Sequence, residues 1–121
     1  MNAVIETNEA DFKNEVLDSS QPVLVDFWGE RCHSSEALAP LLEEIARENA
    51  GRVKVVTVNV DENPALAGHY HIQSTPTLIY FSNGLVHDHL VNPADKQQIV
   101  TRLNVVASLL RQHEGRARHF L

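Results

Sequence analysis

The chain has 121 residues, 43% of them hydrophobic and 21% charged, which is an ordinary composition for one globular domain with a core and excludes a disordered or fibrous chain. Residues 1–110 hold 7 Lys and Arg against 15 Asp and Glu, and residues 111–121 hold 3 Arg, 2 His and 1 Glu. An acidic body argues against nucleic acid as the main partner, because phosphate recognition needs a basic face.

No apolar run approaches the roughly 18–20 residues of a membrane span, and Met1–Glu6 lacks a basic segment followed by an apolar one. The expectation is a cytoplasmic protein without a membrane partner, and the single cysteine excludes a disulfide scaffold.

In chain order, a short edge strand leads into Asn8-Glu9-Ala10-Asp11, which resembles a capping box and opens a short helix with Phe12, Val16 and Leu17 on one face. Ser19-Ser20-Gln21-Pro22 breaks the chain. Val23-Leu24-Val25-Asp26-Phe27 does not alternate and reads as a strand buried on both faces. From Ser34, Leu38, Leu41, Leu42 and Ile45 recur at helical spacing with Glu36, Glu43, Glu44, Arg47 and Glu48 left for solvent.

Val53–Val60 is β-branched and continuous, a second central strand, and Asp61-Glu62-Asn63-Pro64 opens a short helix through Tyr70. Strand-helix-strand order implies parallel pairing. Thr77–Phe81 and Leu85–Val91 flank Ser82-Asn83-Gly84, the mark of an antiparallel hairpin. Pro93-Ala94-Asp95 starts a last helix whose Ile99, Leu103, Val106 and Leu110 should face the sheet, with Gly115 expected to end it and Arg116–Leu121 frayed. The order predicts an α/β domain over residues 1–110, a mixed sheet of about five strands with helices on both faces, followed by a basic tail over 111–121.

Cys32 falls where the first central strand gives way to a helix. Thiolates rather than thiols attack disulfides, and the unpaired N–H groups and dipole of a helix N-terminus favour the thiolate. The other reading of a lone cysteine is a small buried hydrophobe. His33 and Arg31 beside it would add positive charge that stabilises a thiolate, unless His33 is only a solvated first-turn residue.

Val25-Asp26-Phe27-Trp28, Cys32 with Pro40 eight residues on, and Ser74-Thr75-Pro76-Thr77-Leu78 with Gly84 together resemble the thioredoxin family over residues 3–110. The resemblance implies a thioredoxin fold and a protein-disulfide oxidoreductase in which Cys32 is the attacking thiol. It implies a cis-proline at Pro76 facing that thiol, with the Thr75 backbone offering strand-like hydrogen bonds to a substrate segment and Trp28 packed inward with its edge near the site. Asn92 stands where the family has a glycine beside the substrate groove.

The departures are chemical. The family's Trp-Cys-Gly-Pro-Cys is here Arg31-Cys32-His33-Ser34-Ser35, so Ser35 occupies the resolving-cysteine position. A dithiol mechanism needs a second thiol to break the mixed disulfide, and a hydroxyl cannot do so. Asp26, which the family uses to handle the resolving thiol's proton, is expected to lean toward its neutral form because burial raises a carboxyl pKa. The family lysine near it is replaced by Thr57. Either Asp26 hydrogen-bonds the Ser35 hydroxyl as a structural group, or Ser35 replaces the cysteine of a dithiol protein, naturally or as a trapping substitution.

His69, His71, His87 and His89 invite a metal reading, since His87 and His89 should share one side of a strand, but no cysteine or carboxylate set completes a site and none is expected. No cofactor is expected either. The expected partners are disulfide-bearing or persulfidated proteins, with a reductase or glutathione as external reductant, and the chain itself is expected as a monomer or a Cys32-linked dimer. The alternative is a noncatalytic, chaperone-like module that holds extended peptides around Trp28, Thr75 and Pro76.

Overall fold

The computed structural model describes residues 3–119, with side chains described through Ser108. Five strands form one mixed sheet in the order β1-β3-β2-β4-β5: β1 Ile5–Glu6, β2 Val23–Trp28, β3 Lys54–Asn59, β4 Thr77–Ser82 and β5 Leu85–Val91. β2 pairs parallel with β3 and antiparallel with β4, so the strand that leads to Cys32 is the middle of the sheet. Its residues Val23–Phe27 are all buried, as the absence of alternation in the sequence requires of a strand covered on both faces.

One face carries α1 (His33–Glu48) and α3 (Lys96–His119), whose Leu38, Leu42, Ile45, Ile99, Leu103 and Val106 pack on Leu24, Val55, Leu78 and Tyr80. The other face carries Phe12 and Val16, with Leu66 of α2 (Pro64–His69) and Tyr70, over Val25, Phe27, Val56, Val58, Ile79 and Phe81. Tyr70 is the hub of that face, its ring 5.4 Å from Phe81, 5.6 Å from Phe12 and 6.0 Å from Phe27. This is the α/β thioredoxin architecture. Tyr80 donates its buried hydroxyl to the Ile99 carbonyl at 3.0 Å, and Lys96 reaches Glu44 and Glu48 at 2.6 Å, so α3 is tied to both the sheet and α1.

The hairpin closes through Asn83 and Gly84 at φ 53° and 76°, the left-handed pair that a two-residue turn of this hand needs. Three details depart from the sequence reading. The first helix is a π-helical turn, Lys13–Leu17, closed by the Asp18 N–H on the Lys13 carbonyl; its N-cap is Phe12 without a side-chain bond, and Asn8 accepts the Asp11 N–H at 2.9 Å in the turn ahead of it. β5 carries a bulge at His87, because Tyr80 pairs with Asp88 and Phe81 with Val86, and the bulge interrupts the alternation assumed between His87 and His89. Helix α3 runs through Gly115 to His119, since a helix-interior glycine costs only about 1 kcal/mol and no proline follows it. The Leu110 side chain lies outside the described residues. Among the described residues no helix is long and apolar enough to cross a membrane.

Candidate active site at the start of helix α1

The loop between β2 and α1 is held before any side-chain chemistry is considered. Val60 N–H donates to the Trp28 carbonyl at 3.0 Å, and Glu30 N–H donates to Asp61 Oδ2 at 3.0 Å. Buried Asn59 donates through Nδ2 to Glu30 Oε1 at 3.0 Å while its Oδ1 accepts the Asp61 N–H at 2.9 Å. The N-terminus of α1 is therefore clamped to the end of β3.

Cys32 is the N-cap of α1, extended at φ −107°, ψ 108°. Its Sγ accepts the Ser35 N–H at 3.4 Å, the bond a serine makes at an N-cap, so the sulfur sits at the positive end of the helix dipole. The thiol donates to the Thr75 carbonyl at 3.3 Å. Hydrogen bonding from the Ser35 side chain, then from the Thr75 side chain and the Ser35 N–H, outweighs partial burial and holds the thiol below its ordinary range. Cys32 is half-buried, so it is not a core residue.

Thr75-Pro76 is a cis peptide, opposite the sulfur as expected. Asn92, at φ 47°, donates its N–H to the Pro76 carbonyl at 2.8 Å. Asparagine is among the few residues other than glycine that visit this region readily, which explains how it stands at a glycine position. A groove of about 530 Å³ runs past the thiol, lined by Gly29, Glu30, Arg31, Cys32, Val60, Asp61 and Thr75. The His33 side chain points into solvent with Nδ1 3.8 Å from Glu36 Oε2, and Arg31 lies along the groove.

Behind the sulfur, Ser35 is buried and its Oγ accepts the Gly29 N–H at 3.4 Å rather than engaging Asp26. Of the two readings of Asp26 and Ser35, the one with a hydrogen bond between them does not hold among the described residues. Asp26 is 3% exposed, and its Oδ1 has no hydrogen-bond partner among the described residues. Burial first and the nearby Cys32 second push its carboxyl up to about 7, in the direction expected. Trp28 lines the space around Asp26 rather than the groove.

Sequence reasoning missed Gly29 and Asn59. A Cβ on Gly29 would stand 2.9 Å from Thr75 Oγ1 and 3.6 Å from the Cys32 Cβ, so the glycine lets the cis-proline loop approach the thiol. The only signal for Asn59 was an asparagine inside a β-branched run.

The family model described as Thioredoxin matches residues 3–105. The chain is 46% identical over 96 residues to Thioredoxin 1 of Nostoc sp., covering 79% of this chain and 90% of that one. It is 43% identical over 104 residues to Thioredoxin 1 of Synechococcus elongatus, covering 86% and 97%. It is 42% identical over 96 residues to the thioredoxin of Rickettsia felis, covering 79% and 91%.

Proposed function

The chain belongs to the thioredoxin family of thiol-disulfide oxidoreductases, and we propose that Cys32 attacks disulfides of partner proteins and stops at the mixed disulfide. What supports this reading most is the position of the sulfur, at an open groove and a helix N-cap with Ser35 one turn behind it in a chain with one cysteine. The Cys32 thiolate displaces one sulfur of the partner disulfide: a Cys32–sulfur bond forms, the partner's bond breaks, and the second partner sulfur leaves as a thiolate that takes a proton from water. With a persulfidated partner the same thiolate takes the outer sulfur: a Cys32 persulfide forms, the partner's sulfur–sulfur bond breaks, and the partner leaves as a thiolate.

Each neighbour has a defined task. The Ser35 and Thr75 side chains and the Ser35 N–H stabilise the thiolate, and the Thr75 backbone beside Pro76 aligns an extended substrate segment, with Asn92 holding the Pro76 carbonyl. Arg31 and His33 bias the choice of partner through charge, and Trp28 backs the loop. A serine hydroxyl cannot displace the substrate, so release falls to glutathione or another external thiol. A cysteine at position 35 would close the cycle within the chain and make a reductase the electron source.

The test has two arms: the reduced chain, freed of dithiothreitol, is mixed with insulin and adducts are followed by mass spectrometry, and insulin reduction driven by dithiothreitol is compared between this chain and Ser35→Cys. This chain is expected to accumulate a one-to-one mixed disulfide while Ser35→Cys turns over. Capture that survives Cys32→Ala would overturn the assignment. Neither form outpacing dithiothreitol alone would make the groove a noncatalytic peptide-binding site.

A further inference from the structure

On the α1 face of the sheet, behind Ser35, lies a second space distinct from the groove that holds the thiol. Strand register sets Glu6, Thr57 and Asp26 side by side on β1, β3 and β2, and α1 lays Ala39, Leu42 and Glu43 over that row. Between them is a cleft of about 310 Å³. It exists because the middle residue of the row, Thr57, has a short side chain. At roughly 30 Å³ per water-sized group, the cleft holds on the order of ten non-hydrogen atoms.

Its chemistry is one-sided. The wall is apolar, from Val4, Trp28 and Leu42, and the rim carries Glu6, Glu30, Glu36 and Glu43. No lysine or arginine lines it. At the floor is Asp26, 97% buried, with an Oδ1 that no described donor reaches. A buried acceptor of this kind is costly to leave unpaired, and a donor with positive charge is its best partner. An anion is repelled by the carboxylates. A multivalent metal needs several oxygens converging on one point, and among the described residues no group of three or more His, Cys, Asp or Glu does so. A single-point cation with an apolar body meets both halves of the lining.

We propose that this cleft binds a small primary alkylammonium ion, its head donating to the Asp26 carboxylate above Thr57 and its chain lying along Val4, Trp28 and Leu42. The ammonium restores the missing donor, and the tail removes apolar wall from water. The site is independent of the proposed exchange reaction, because binding is read on the resting protein and needs no reactive thiol.

The experiment is an NMR titration of the full chain with n-butylammonium chloride at about pH 8, where Asp26 is ionised and the amine remains protonated. Saturable shifts are expected at the amides of Asp26, Thr57 and Ser35. Asp26→Asn should weaken binding by at least about tenfold, and Thr57→Lys, which places a tethered ammonium over Asp26, should abolish it. Equal affinity for n-butanol would overturn the proposal, because the cleft would then be only apolar. The same shifts with magnesium chloride would overturn it in favour of diffuse charge screening, and so would unchanged affinity in both variants. Nα-acetyl-lysine amide offers the same head on a peptide side chain; tighter binding than n-butylammonium would replace the free amine with a partner's lysine.

Discussion

Asp26 and Cys32 titrate against the backgrounds that the fold gives them, and the two give opposite slopes. The folded chain holds the Asp26 proton up to a pH of about 7, whereas the unfolded chain releases it near the usual value of about 3.9. Between those limits the folded state carries more protons, so its stability falls as pH rises, by on the order of 4 kcal/mol in total and with the loss complete above about 7. Asp26→Asn removes that slope. Urea unfolding should find the variant more stable by a few kcal/mol at about pH 8 and nearly equal to the parent at about pH 4.5. A difference independent of pH would mean that the carboxylate is solvated in the folded state. At Cys32 the leading stabiliser is the Ser35 side chain. Ser35→Ala should raise the thiol pKa, lowering the alkylation rate with iodoacetamide near neutral pH by roughly threefold to tenfold while leaving the rate at high pH unchanged. An unmoved profile would assign the thiolate to the helix terminus and Thr75 alone.

Elements were legible where local chemistry decides them. The continuous apolar run Val23–Phe27 could only be a strand covered on both sides, and Asn83-Gly84 between two strand runs specified the hairpin. Gly84 also has a packing reason: at φ 76° a Cβ there would stand 3.0 Å from the Leu17 carbonyl. Gly84→Ala should therefore cost about 1–2 kcal/mol in urea unfolding, from the left-handed backbone and the crowded carbonyl together. The features that escaped the sequence depend on partners distant along the chain. The π-helical turn at Lys13–Leu17 is set by packing of Phe12 and Val16 on the sheet, which residue spacing does not reveal. The bulge at His87 is a property of the β4-β5 register, not of either strand. In the site, the place of Cys32 at the start of a helix was legible. The space left by Thr57 was not, because its lining comes from β1, β2, β3 and α1, elements that only the folded sheet brings together.

At the scale of the molecule, charge acts on every encounter before the groove does. The formal net charge is −6, and the thiol's own groove carries Glu30 and Asp61 against one guanidinium, Arg31. A field of that sign concentrates cations at the surface and repels anions, and over a screening length of about 10 Å at 0.1 M salt it reaches past the groove walls. The prediction is a rate difference between two small disulfides that lack any peptide to dock. Cystamine, a dication, should form the Cys32 mixed disulfide faster than glutathione disulfide, an anion, by on the order of tenfold in dilute buffer, and the gap should shrink steeply toward 1 M salt. Stopped-flow alkylation competition reads both rates. The opposite order would mean that Arg31, close to the sulfur, outweighs the distant carboxylates, and Arg31→Gln would then restore the preference for cystamine. A gap that ignores salt would trace to contact within the groove and not to the field, so the ionic-strength series separates the long-range effect from the local one.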